Sequence, residues 1–227
     1  METPIEASHF RHWRSALWQQ VRGPRVLELG VGTGKNFPSY RREWQVTAID
    51  LSPRMLEWAE RRARRDGVEV ALPLGDAQAL PFPDASFDTV VATFVFCSVP
   101  EPIQGLREAF RVLIPGGQLL LVEHVLSEKP LLRTLMHLAN PLMIRMSGAN
   151  IDRDTVQTVA RAGFVPHQAR NLWGDIVKLI EAAPPGAAST TDRVSSANNQ
   201  GSLREDSASQ DIHGSDKPKQ SEGDSES

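Results

Sequence analysis

The chain has 227 residues, 40% of them apolar, with 25 Lys and Arg against 28 Asp and Glu and a formal charge of −3. That composition supports one sizeable core, and the near balance of charge gives no general drive toward nucleic acid. A single cysteine, Cys97, excludes an internal disulfide and a cysteine-based zinc site, as in a reducing compartment.

In chain order, residues 1–24 read as an amphipathic helix. Phe10, Trp13, Leu17, Trp18 and Val21 fall on one side and Arg11, Arg14 and Arg22 elsewhere. Two roles fit this pattern, a peripheral membrane contact through residues 9–22 or a lid packed over a ligand. Charged residues interrupt every hydrophobic run near the N-terminus, so no signal peptide is legible, and no run reaches the ~20 apolar residues of a membrane span. The expected address is the cytoplasm, with the inner membrane face as a secondary location.

Residues 25–181 alternate short apolar runs with helical patterns, the signature of a parallel sheet covered on both faces. Strands are expected at Arg25–Leu29, Gln45–Asp50, Val68–Leu72, Phe87–Ala92 and Gln118–Glu123. A helix is expected to begin near Lys35, another at Pro53 behind a Ser52 cap, and a third at Pro102. The run Arg61 to Arg65 in the second of these reads as a solvated face. Pro115-Gly116-Gly117 forces a turn before the fifth strand. Beyond it lie an apolar helical region within residues 130–150, a helix from about Arg153 to Ala162 ended by Gly163, and a hairpin of Phe164–Ala169 with Ile176–Ile180. The hairpin makes the last strand antiparallel. Residues 182–227 carry no aromatic residue, with 4 basic and 8 acidic side chains, and read as a disordered polar tail.

The chemistry concentrates at strand ends. Glu28 closes the first strand and Gly30, Gly32 and Gly34 follow, letting the backbone turn sharply and a ligand lie against it. A dinucleotide loop requires G-x-G-x-x-G, but position 35, where the third glycine belongs, is Lys, so the loop is the tighter G-x-G-x-G. Asp50 ends the second strand, where an acid reaches ribose hydroxyls, and Asp76 follows the third, placed for an adenine amine. Either acid alone also fits a surface position or a helix cap; the two at consecutive strand ends describe a nucleoside site.

Glu28 to Gly34, Asp50 to Leu56, Gly75-Asp76-Ala77, Leu80 to Asp88 and Arg111 to Gly117 resemble, in order, the motifs of class I S-adenosylmethionine-dependent methyltransferases. The resemblance implies a Rossmann-like α/β sheet of seven strands, mostly parallel with an antiparallel last strand and helices on both faces. It also implies S-adenosyl-L-methionine as cofactor, with Glu28, Gly30, Gly32, Thr33 and Gly34 on its methionine side, Asp50 at the ribose, Asp76 and Ala77 at the adenine, and Leu51 among the cofactor-binding residues. No metal is implied.

Methyl transfer is an in-line displacement, so alignment and exclusion of water matter more than a nucleophilic group. The acceptor side is expected at Thr93–Val99, Glu123-His124 and Ser147–Arg153. His124 is a general-base candidate, with a strand-end hydrogen-bonding role equally open. Cys97 is an acceptor-side residue or a small buried hydrophobe. Arg153 holds an anionic acceptor group or pairs with the flanking Asp152 and Asp154. No Asn-Pro-Pro-aromatic motif follows the fourth strand, which lowers nucleic acid as substrate. The nearest resemblance is to bacterial phospholipid N-methyltransferases and alkyl-thiol methyltransferases, with the quinone C-methyltransferases more distant. The expected partner is a small-molecule or lipid acceptor, a phospholipid amine slightly ahead of a thiol or quinone ring; a non-catalytic S-adenosylmethionine-binding module is the alternative class.

Overall fold

The computed structural model describes residues 4–186, so the polar tail lies outside the described residues from position 187 onward. Six strands form one sheet, in the order β2-β1-β3-β4-β6-β5. They are β1 Arg25–Leu29, β2 Gln45–Ile49, β3 Phe87–Thr93, β4 Leu113–His124, β5 Val165–Trp173 and β6 Val177–Ala183. The first four run parallel, and β6 inserts antiparallel between β4 and β5, as the close spacing of the final hairpin requires.

The seventh strand expected at 68–72 is reduced to isolated bridges, Thr47 with Ala71 and Asp50 with Leu74. Ala71 donates to the Val46 carbonyl and Gly75 to the Asp50 carbonyl. Pro73 stands midway between these donors and has no N–H, so the ladder breaks there. The helix expected near Lys35 is also absent. Its place holds a single 3-10 turn, Phe37–Ser39, because Pro38 occupies the turn while Asn36 and Phe37 turn inward and are buried. At the other proline signal, residues 114–117 form a bulge inside β4, where the register jumps from Phe87 opposite Leu113 to Thr89 opposite Gln118.

Five α-helices flank the sheet: α1 Pro4–Trp18, α2 Pro53–Asp66, α3 Pro102–Val112, α4 Pro130–Ser147 and α5 Thr155–Arg161. The Ser52 hydroxyl caps α2 by accepting from the Met55 amide, and Asp154 caps α5 by accepting from Gln157, which starts that helix two residues later than expected. Alternation along β4 divides the core. Leu119 and Leu121 face α3 and α5 with Leu106, Ala109 and Val159, while Leu120 and Val122 face α1 with Trp13, Leu17 and Trp18.

The α1 contact corrects the expectation of a membrane contact through residues 9–22. Trp13, Leu17, Trp18 and Val21 are buried against Val26, Val91, Leu120 and Leu179 of the sheet, so this apolar face is already covered. Each such side chain stabilises the fold by roughly 1.5–3 kcal/mol, an upper figure. The β1–β3 boundary, where the chain first leaves to one side and then returns on the other, is the switch point at which an open α/β sheet makes its ligand crevice.

Candidate functional site

The crevice starts from the turn after β1. Gly30, Gly32 and Gly34 have φ of 65°, 55° and 74°, a region where a side chain is strained. The three glycines have different surroundings. A Cβ on Gly34 would lie 2.3 Å from the Phe37 ring and one on Gly30 2.5 Å from Val95, whereas one on Gly32 meets nothing within 4 Å. Gly32 is thus the open floor of the cradle. Its amide donates to Asp50 Oδ2 at 2.8 Å, while Asp50 Oδ1 accepts from Ser52 N at 2.9 Å. One carboxylate therefore couples the glycine turn to the start of α2.

Glu28 sits beneath this turn and not on the cavity wall. It is fully buried, with Oε1 accepting from Asn36 Nδ2 at 2.6 Å and Oε2 from the Tyr40 hydroxyl. Burial pushes its carboxyl up to about 7 against the lowering effect of these donors. Asn36 Nδ2 also reaches Thr93 Oγ1 at 3.2 Å, so the cluster ties the glycine turn to the end of β3. Thr33 and Gly34 likewise shape the turn without lining the cavity.

Asp76, just beyond the bridged segment 71–74, is folded into its own turn. Its Oδ1 accepts from the Gln78 backbone at 2.8 Å, and Gln78 in turn accepts from Glu101 N at 2.9 Å. Gly30, Gly32, Asp50, Leu51, Asp76 and Ala77 line a common cavity of about 450 Å³. That volume suits a small-molecule ligand. Ile49, Met55, Gln78 and Pro100 also line it and were not singled out from sequence. Met55 is explained by its place in the first turn of α2, and Gln78 by its side chain bridging to the start of α3.

The charge of this wall discriminates between cofactors. Asp50 and Asp76 are its ionisable residues, and no Lys, Arg or His is among the lining side chains. Such a wall has nothing to neutralise a pyrophosphate, and it suits a nucleoside carrying a cationic sulfonium. The open floor at Gly32, with Asp50 and Asp76 on the wall, fits S-adenosylmethionine on the same grounds.

On the acceptor side, Phe94, Val95, Ser98 and Val99 line the cavity. Phe94 adopts φ of 57°, a strained conformation for a bulky residue at the end of β3. The turn that follows is held from behind. Glu123, fully buried, accepts from Val95 N at 2.7 Å and Phe96 N at 2.9 Å through Oε1, while Oε2 has no partner among the described residues. Burial raises this carboxyl to about 7. Arg153 donates from Nη1 to the Phe96 and Val99 carbonyls, so its guanidinium clamps the wall; Asp152 instead meets His137 Nδ1 at 3.0 Å. Cys97 is buried off the cavity with its thiol 3.5 Å from the Phe94 carbonyl, and burial pushes it up to about 12. His124 is half-buried, its ring centroid 4.8 Å from that of Phe94, and burial lowers its pKa. One aromatic ring therefore separates the histidine from the cavity.

The remaining sequence motifs are structural. Arg111 donates to the Phe82 and Leu80 carbonyls and to Asp84 and Glu108, locking the Leu80–Asp88 segment onto α3.

A methyltransferase domain model matches residues 27–121. A phosphatidylethanolamine N-methyltransferase of Cereibacter sphaeroides is 43% identical over 118 residues, covering 51% of this chain and 58% of that protein's length. A demethylmenaquinone methyltransferase of Clavibacter sepedonicus is 32% identical over 206 residues, covering 81% of this chain and 84% of the relative. Among solved structures, the YcgJ protein of Bacillus subtilis superposes with a TM-score of 0.61 at 26% identity, covering 72% of each chain.

Proposed function

The chain belongs to the S-adenosylmethionine-dependent methyltransferase family, and from that premise we propose that it methylates a small apolar or amphipathic acceptor, a phospholipid headgroup amine ahead of a quinone ring or a thiol. The observation that carries the reading is the cavity: two acids at the donor end, and Phe94, Val95 and Val99 at the other with no cation on the wall.

When bound, S-adenosylmethionine supplies a methyl group activated by the positive charge on sulfur. The protein's residues bind, orient and exclude water. The Asp50 carboxylate, already fixed by the Gly32 and Ser52 amides, would hold the ribose hydroxyls, and Asp76 would hold the adenine amine. Glu28 acts at one remove, holding the turn through Asn36 and Tyr40. Phe94 and Val99 exclude water from the methyl path. An amine acceptor arriving as an ammonium must lose a proton before attack. His124 is the base candidate for that step: burial favours its neutral imidazole, and its ring lies against Phe94 of the cavity wall. Cys97 and Arg153 support the wall.

The phospholipid reading draws on the 43% identical relative, and the quinone reading on the relative that covers 81% of the chain. Incubation with labelled S-adenosylmethionine and a panel of phosphatidylethanolamine, demethylated quinone precursors and alkyl thiols separates them. Label in the phospholipid supports the proposal; label only in the quinone or thiol overturns the order of acceptors, and label in none of the panel overturns the substrate class.

A further inference from the structure

Leu131, Leu135, Leu138, Leu142 and Met146 follow one another along α4 at intervals of four, three, four and four residues. The 3.6-residue period gathers them into one stripe roughly 23 Å long. All five face water, from 59% exposed at Leu135 to 86% at Leu131. Scattered apolar residues are ordinary on a surface, but a continuous helical stripe of this size marks a contact.

The helix is fixed to the body by its other side. Met136 and Asn140 are buried, Asn140 Oδ1 accepts from Ile151 N at 2.9 Å, and Asn150 N donates to the Cys97 carbonyl at 2.8 Å. Through this chain of bonds α4 is attached to the turn whose Val95, Ser98 and Val99 form the acceptor wall. It also departs from the carboxyl end of β4, the sheet edge on which the cavity opens.

Charge narrows the choice of occupant. Helix α4 has no Asp or Glu; Arg145 flanks the stripe, whereas Arg133 lies on the body side and donates to the Ser127 carbonyl at 3.0 Å. A second copy of the helix pairing along this stripe would offer Arg145 no acid. An anionic bilayer offers the complement, an apolar boundary beneath a layer of phosphates. Among the described residues no helix is long and apolar enough to cross a membrane, so the contact is one of lying on the surface.

We propose that α4 is a docking helix that seats this protein on an anionic phospholipid bilayer, the leucine stripe entering the headgroup boundary and Arg145, at its flank, meeting the phosphates. This goes beyond the proposed reaction and does not depend on which acceptor is methylated. It places the mouth of the cavity beside the bilayer, so that an amphipathic acceptor reaches the wall without passing through water.

The test is co-sedimentation of the full chain with vesicles of phosphatidylglycerol and phosphatidylcholine in equal parts, against phosphatidylcholine alone. The chain is expected to pellet with the mixed vesicles and to be released by salt. The triple change Leu135→Ser, Leu138→Ser, Leu142→Ser is expected to weaken binding more than about tenfold, and Arg145→Gln to weaken it by about fivefold on the anionic vesicles. Because all four positions are exposed, S-adenosylhomocysteine affinity should stay unchanged in both variants; this control reports the methyl-donor site separately. Absence of vesicle binding, or binding that the leucine changes leave intact, overturns the proposal. So does a stripe-dependent dimer in light scattering without vesicle binding, which would assign the stripe to a second copy.

Discussion

The Gly32 amide and the Asp50 carboxylate meet at 2.8 Å, joining two residues eighteen positions apart that lie at the ends of adjacent strands. Removing the acid therefore does two things: it deletes the proposed ribose acceptor and leaves the glycine turn without its tether. Asp50→Ala is expected to weaken S-adenosylhomocysteine binding by about 1–3 kcal/mol in calorimetry. Unchanged affinity would refute the assigned role.

Gly32→Ala and Gly34→Ala are expected to fail differently. Both put a side chain at positive φ, at roughly 1–2 kcal/mol. At Gly34 the new Cβ also meets the Phe37 ring at 2.3 Å, so urea denaturation should show a further loss of about 1–3 kcal/mol. At Gly32 the space is open, and the loss should appear mainly as reduced cofactor affinity. Equal stability losses without a difference in affinity would contradict the open-floor reading.

Glu28 and Glu123 make stability depend on pH with a definite sign. Both carboxyls are raised from 4.5 to about 7 by burial, so between these values the folded state binds more protons than the unfolded chain. Their contribution is fully present below about pH 4.5 and is lost as pH rises toward 7, on the order of 3 kcal/mol for each residue. Thermal unfolding across this range should show a falling contribution that Glu28→Gln and Glu123→Gln each reduce. A pH-independent difference between variant and parent would count against it.

Glu123 is also expected to position the acceptor wall. Glu123→Ala strands the Val95 and Phe96 amides and should cost about 1–3 kcal/mol for each unsatisfied donor, with a fall in kcat/KM. Glu123→Gln keeps one acceptor oxygen and should recover most of the loss; equal damage from both variants would refute the hydrogen-bonding account.

Cys97 should be chemically silent. With its thiol buried and raised to about 12, Ellman's reagent is expected to react only after denaturation. Fast reaction in the native state would show the thiol to be accessible, against its burial behind the wall.

The sequence was most legible where a residue type is bound to a backbone requirement. Gly30, Gly32 and Gly34 adopt positive φ, Ser52 caps α2, and the closely spaced final strands pair as a hairpin. It was least legible where partners lie far along the chain. Arg153 finds two carbonyls more than fifty residues away, and no local pattern distinguishes that clamp from an anion site. The amphipathic pattern of α1 gave its apolar face correctly but not what covers it, because a sheet and a membrane select the same side chains. The reverse ambiguity holds for α4, whose apolar residues lie on both a buried and an exposed side. The expected third strand was lost to one missing donor at Pro73.

That missing donor has a further consequence at the sheet margins. Segment 71–75 pairs on the outer side of β2, and β5 forms the opposite margin; each contains a proline, Pro73 and Pro166. A sheet rim with a regular row of free amides templates the addition of foreign strands. Pro73 keeps segment 71–75 from extending as a regular margin strand, and β5 presents the exposed polar residues His167, Gln168 and Arg170. Both features work against the edge-to-edge addition of foreign strands.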